Sequence, residues 1–151
     1  MGLSDKVGQD LLAAMKAGES LKLSVVRLLR TRLKETQIEK RRELSDEEFY
    51  KVVMSEVAKR REAIELFEKG GRPDLASREL NEIAILETYL PPKLTEDEIK
   101  TIVSEAIKES GATQPGDLGK VMKLVMPKVT GRAEGSLVSR IVKDLLAEAK
   151  G

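Results

Sequence analysis

The chain has 151 residues and a formal net charge of +1, with 35% charged and 40% apolar residues, too apolar for a disordered chain and too charged for a membrane protein. It contains no Cys and no His, which excludes disulfides, thiol nucleophiles, thiolate zinc sites and catalysis by an imidazole. Aromatic residues make up only 3%, so the core has to be built from Leu, Ile, Val, Met and Ala.

The apolar spacing is helical throughout, and no segment alternates with period two over strand length. Seven helices are predicted in an all-α fold. The first covers residues 4–16, with Val7, Leu11, Leu12 and Met15 on its stripe and Gly18 beyond its end. The second covers 20–42. Leu21, Val25, Leu28 and Leu29 form its apolar face, and past Leu33 it is expected to project into solvent. Ser45-Asp46-Glu47-Glu48 has the pattern of a capping box and opens the third helix, which Gly70-Gly71 ends. The short link between the second and third helices predicts an antiparallel hairpin. Arg60 falls on the third helix's apolar stripe, where a charge has to be paired or has to snorkel; an ion pair is expected. Pro73 starts the fourth helix, whose Leu75, Leu80, Ile83, Ala84, Leu86 and Tyr89 span more than one stripe and predict deep burial.

Pro91-Pro92 forces an extended break, and the division is placed there: an N-terminal helical domain over 1–92 and a small helical bundle over 93–151. Thr95-Glu96-Asp97-Glu98 is a second capping box, opening the fifth helix, which Gly111 stops. A sixth helix is predicted over 117–126, ending at Pro127. Gly131-Arg132-Ala133-Glu134-Gly135 reads as a tight loop, and Ser136 or a neighbour is expected to cap the seventh helix. The two acidic clusters sit at helix starts, where the helix dipole and capping account for them without a metal.

Charge is uneven. From Leu21 to Arg42 there are eight basic residues against two acidic, and from Gly111 to the C-terminus seven against four. In the second basic segment, Gly131 and Gly135 bracket Arg132 before a helix N-terminus, a place where free backbone N–H groups favour an anion. Lys120, Lys123 and Lys128 add positive charge. The plainer alternative is that both glycines only provide turn geometry. Arg27, Arg30, Lys34 and Arg41 on the second helix form a second candidate phosphate-binding face, set against a simple solvated surface. Base readout is not expected, for want of aromatic stacking platforms. No P-loop is present, and the charged first 19 residues have neither the pattern of a signal peptide nor that of a membrane span. A cytoplasmic location is expected.

The strings Lys22-Leu23-Ser24-Val25-Val26-Arg27, Lys59-Arg60-Arg61-Glu62-Ala63, Glu87-Thr88-Tyr89-Leu90-Pro91-Pro92-Lys93-Leu94, and Gly119-Lys120-Val121-Met122 followed by Gly131-Arg132-Ala133-Glu134-Gly135 reach further. With them the chain resembles, nearly end to end, the YqeY-like family, stand-alone relatives of the tail of the GatB subunit of tRNA-dependent amidotransferases. Lys123 and Glu134 stand where the family more often has Gly and Asp. The resemblance implies a two-part helical protein and a role in tRNA binding, because the tail domain touches the elbow side of tRNA. The amidotransferase's kinase-like domain and its amidase subunit have no counterpart here. The carbon–nitrogen ligase activity with glutamine as amide donor attached to the family is therefore not expected of this chain alone, and no cofactor is implied. tRNA is the expected partner, with amidotransferase subunits or an aminoacyl-tRNA synthetase as further ones. A helical protein-interaction module without RNA binding and an enzyme using Lys and carboxylates are the rival readings.

Overall fold

A computed structural model describes residues 2–150. It is all-helical: α1 (Leu3–Ala17), α2 (Ser20–Lys40), α3 (Asp46–Lys69), α4 (Pro73–Glu87), α5 (Glu96–Ser110), α6 (Leu118–Val129) and α7 (Gly135–Lys150), with one 3₁₀ turn at Pro115–Asp117. Two compact units result, one ending at Leu90 and the other beginning at Pro91. Each has a core of its own.

In the first unit, Val7, Val25, Val26, Leu29, Phe49, Val53 and Leu86 are all buried in one cluster. α2 and α3 form an antiparallel hairpin whose register is visible in its ion pairs: Lys40 meets Glu48 at the turn (3.0 Å), and Arg32 meets Glu56 eight residues further along each helix (3.3 Å). The far half of α2 is thus held against α3 by charge as well as by the buried Leu33. The α3 capping box forms as its sequence dictates, Glu48 N–H donating to Ser45 Oγ and Ser45 N–H to Glu48 Oε1. Arg60 is buried and pairs with Glu56 and Glu82. Tyr89, next to the break, donates its hydroxyl to the Asp10 carboxylate and lies under the Lys6 ammonium. Burial and Asp10 both push its phenol above the ordinary value of 10.0.

In the second unit, α5, α6 and α7 bury Ile99, Val103, Val121, Val125, Val138, Val142 and Leu146 among others. The Thr95 capping box closes α5 in the same manner.

Five expectations are corrected, the first being that Leu28 belongs to the apolar face of α2: it is 37% exposed, and Val26 and Leu33 are buried beside Val25 and Leu29 instead. α1 turns Val7, Leu11 and Ala14 inward and leaves Leu12 (58%) and Met15 (52%) exposed; the 4-then-3 spacing of the first three makes the better stripe. α4 is one-faced, burying Ala76, Ile83 and Leu86, while Leu80 is 52% exposed. α6 runs through Pro127 to Val129. Proline deletes one helical donor, but Pro127 and Lys123, the residue four before it, are both exposed, so water serves the orphaned carbonyl and the helix continues. Finally, α7 begins at Gly135, one residue ahead of the expected cap. Val138 N–H donates to the Glu134 carbonyl (3.1 Å), which puts Glu134 at the cap and Ser136 in the first turn.

Candidate nucleic-acid interface

α6 is built from a Val121–Val125–Val129 stripe that faces the core. That orientation fixes where its lysines go. Lys120, Lys123 and Lys128 are all exposed. Lys120 and Lys123 share the outer face, and Lys128 lies about 80° round the helix from Lys120. None of the three has an ion-pair partner among the described residues. Lys150, counted in the basic excess of this segment, has its side chain outside the described residues.

The loop after α6 is more occupied than its sequence implies. Thr130 N–H and its hydroxyl both donate to the Met126 carbonyl (3.0 and 2.6 Å), and the N–H groups of Arg132 and Ala133 both donate to the Val129 carbonyl (2.8 and 3.1 Å). The loop donors of Thr130, Arg132 and Ala133 are therefore spent on closing α6, which leaves the first turn of α7, from Gly135 onward, as the place for an anion. Gly131 is buried at φ 85°, a left-handed conformation that L side chains resist. Gly135 has no such demand, since a Cβ there would meet nothing within 4 Å.

Arg132 straps the unit together. Its Nε donates to the Pro92 carbonyl (3.1 Å), and its own carbonyl accepts from Leu94 N–H (2.9 Å). It ties the entry of the unit to the α6–α7 loop. It also stands near enough to Glu98 to add to the capping bonds from Thr95 that hold that carboxyl below 4.5. Nothing local in the sequence signals this role, because the partners are 40 residues away and are backbone atoms.

The second basic region divides in two. Arg32, Lys40 and Arg42 face α3 and are paired, Arg32 with Glu35 and Glu56, and Lys40 and Arg42 with Glu48. Glu48 is held well below the usual carboxylate range, chiefly by its hydrogen bond from Arg42. Arg27, Arg30, Lys34 and Arg41 face outward, are exposed, and have no ion-pair partner among the described residues. The sequence supplies the basic excess but not this sorting. Sequence reasoning misses Glu56; its position four before Arg60, on the same stripe, is the signal that could have found it. Among the described residues, no helix is long and apolar enough to cross a membrane.

A family profile described as Yqey-like protein matches residues 4–146. Two curated relatives share the description "Altered inheritance of mitochondria protein 41, mitochondrial". One, from Kluyveromyces lactis, is 30% identical over 110 residues, 71% of this chain and 60% of the relative. The other, from Lachancea thermotolerans, is 31% identical over 110 residues, 71% of this chain and 59% of the relative. The aligned part of the chain spans about six tenths of each relative's length.

Proposed function

The chain belongs to the YqeY-like family, and on that footing we propose that it is a tRNA-binding accessory module related to the amidotransferase tail domain, with no chemistry of its own. The observation that carries this reading is the set of three exposed, unpaired lysines on α6: Lys120 and Lys123 on the side away from its valine stripe, and Lys128 on its flank. Phosphates reward such a surface through counterion release, and with no aromatic side chain beyond Tyr89 the recognition is of backbone rather than bases. Arg132, Gly131 and Gly135 border that face and shape it. In this reading amidotransferase subunits or an aminoacyl-tRNA synthetase deliver or receive the tRNA. The module works in an aqueous compartment that holds tRNA, the cytoplasm or, as the relatives' description has it for them, the mitochondrion.

The test is a salt titration of tRNA binding by the full chain. Replacing Lys120, Lys123 and Lys128 together by Ala should weaken binding and lower the slope of log K against log salt by about 0.7 to 0.9 for every phosphate the variant no longer neutralises. An unchanged slope and affinity would overturn the assignment of the site to α6.

A further inference from the structure

We propose that the outward face of α2 docks an acidic amphipathic helix of a partner protein. Residues Arg27, Thr31, Lys34 and Ile38 follow one another at steps of three or four, so they form a single stripe, which Arg41 at the C-cap extends. It lies opposite the buried Val25, Val26, Leu29 and Leu33. Arg30 lies on the same face one step from Arg27. From Arg27 to Ile38 the stripe runs roughly 16 Å, about three turns, enough for two packed helices to interdigitate.

The cations of this face are the ones left over when the hairpin has paired its own. Glu48 and Glu56 engage Arg42, Lys40 and Arg32, and Glu35 also engages Arg32. Glu39 lies about 120° round the helix from Arg27. Asp5 shares a hollow with Arg30, and Glu43 shares one with Lys34, Ile38 and Arg41, two acidic neighbours against the four cations. The face therefore presents four cations that a partner has to neutralise.

Apolar groups sit among them. Ile38 is 75% exposed and lines a hollow with Lys34 and Arg41. Leu28, at the edge of the face about 100° round the helix from Arg27, lines another with Arg27 and Thr31, and the exposed Leu12 lines the hollow that Arg30 borders. This mixture favours protein over nucleic acid. A phosphate backbone neutralises the cations but gives Ile38, Leu28 and Leu12 nothing, and no aromatic side chain on the stripe stacks a base. A helix with carboxylates along its flanks and aliphatic residues along its centre satisfies both. The inference does not depend on RNA binding by α6.

The probe is a synthetic peptide of about four helical turns with Glu and Leu spaced at three and four, beside an isomer with the same residues in scrambled order. Anisotropy with the full chain should show the patterned peptide binding at least about tenfold tighter than the isomer, with the preference shrinking in high salt. Arg27→Glu, Arg30→Glu and Lys34→Glu together should remove that preference without altering the helical spectrum, and a Lys-for-Glu peptide should bind this variant. Ile38→Ser should weaken the binding that survives in high salt. Equal binding of the two peptides, no binding of either, or indifference to the charge reversal would overturn the proposal. So would tRNA binding, rather than peptide binding, that is lost on the same reversal, which would make the face a nucleic-acid surface.

Discussion

At the scale of single residues, the unusual chemistry of this protein is one buried charge cluster. Glu56 is 3% exposed, accepts from Arg32 and forms ion pairs with Lys59 and Arg60, while Arg60 Nη1 donates to the Glu56 carbonyl (3.0 Å) and Arg60 Nε has no hydrogen-bond partner. Removing one member of such a cluster leaves the other charged and dry, whereas replacing both by apolar groups of similar size removes the desolvation cost as well. Glu56→Leu should destabilise the chain by about 3 kcal/mol, and adding Arg60→Met should recover part of that loss. Urea midpoints of the two variants check this; a double variant weaker than Glu56→Leu alone would refute it. Further along α4, burial and the neighbouring Glu82 hold Glu79 above its ordinary value of 4.5. A carboxyl raised on folding stabilises the protein most when protonated, so its contribution is lost as pH rises above 4.5 through the folded value. Glu48 has the opposite sign: its depressed carboxyl contributes above 4.5, and that contribution is lost as pH falls. Glu79→Gln should flatten the decline of stability on the neutral side, and Glu48→Gln should flatten it on the acid side. Melting temperatures across the pH range distinguish them.

At the scale of elements, what is legible in the sequence is what is local. Both capping boxes, the glycine stops, Pro73 at the start of α4 and the α2–α3 hairpin are encoded within a few residues of where they act. What is not legible depends on distant partners or on solvent. Leu80 reads as core until the neighbours of α4 are known, and Pro127 reads as a stop until its helix is seen to turn that side to water. The candidate interface follows the same division. The lysines of α6 read as a basic run, yet only the valine stripe shows that Lys120 and Lys123 point away from the core and that Lys128 lies on the flank. The bracketed Arg132 looks like a ligand-binding arginine and is in the structure a strap between the α6–α7 loop and Pro92. Arg132→Ala should therefore lower the stability of the C-terminal unit by about 1 kcal/mol. Gly131→Val should cost about as much or more, because valine at φ 85° is strained. If Arg132→Ala instead leaves the melting curve unchanged while reducing tRNA binding, the strap is unimportant and the guanidinium meets RNA.

At the scale of the whole molecule, the two cores share no residue: one draws only on residues up to Leu90, the other only on residues from Leu94 onward. The chemistry of the cores differs too. All four aromatic residues, Phe49, Tyr50, Phe67 and Tyr89, belong to the first unit, and both tyrosines pack against its core cluster, Tyr89 within it. The second unit is aliphatic and has about 60 residues, a size at which the buried fraction of surface is small and stability is marginal. Two units of unequal length, each with its own core, joined through Pro91-Pro92 should not melt as one. Near-UV circular dichroism, which reports the tyrosines, follows only the first unit, whereas far-UV circular dichroism follows every helix. On heating the full chain, the far-UV signal should begin to fall first, losing roughly a third of its helical amplitude as α5, α6 and α7 unfold, while the tyrosine signal still reads native. Lys120, Lys123 and Lys128 stand on the unit that melts first, so tRNA binding should disappear with the first step. Arg27, Arg30 and Lys34 stand on the unit that survives it, so the patterned acidic peptide should remain bound until the second. Superimposable near-UV and far-UV curves would mean that the chain unfolds as a single cooperative unit and that the two surfaces rise and fall together.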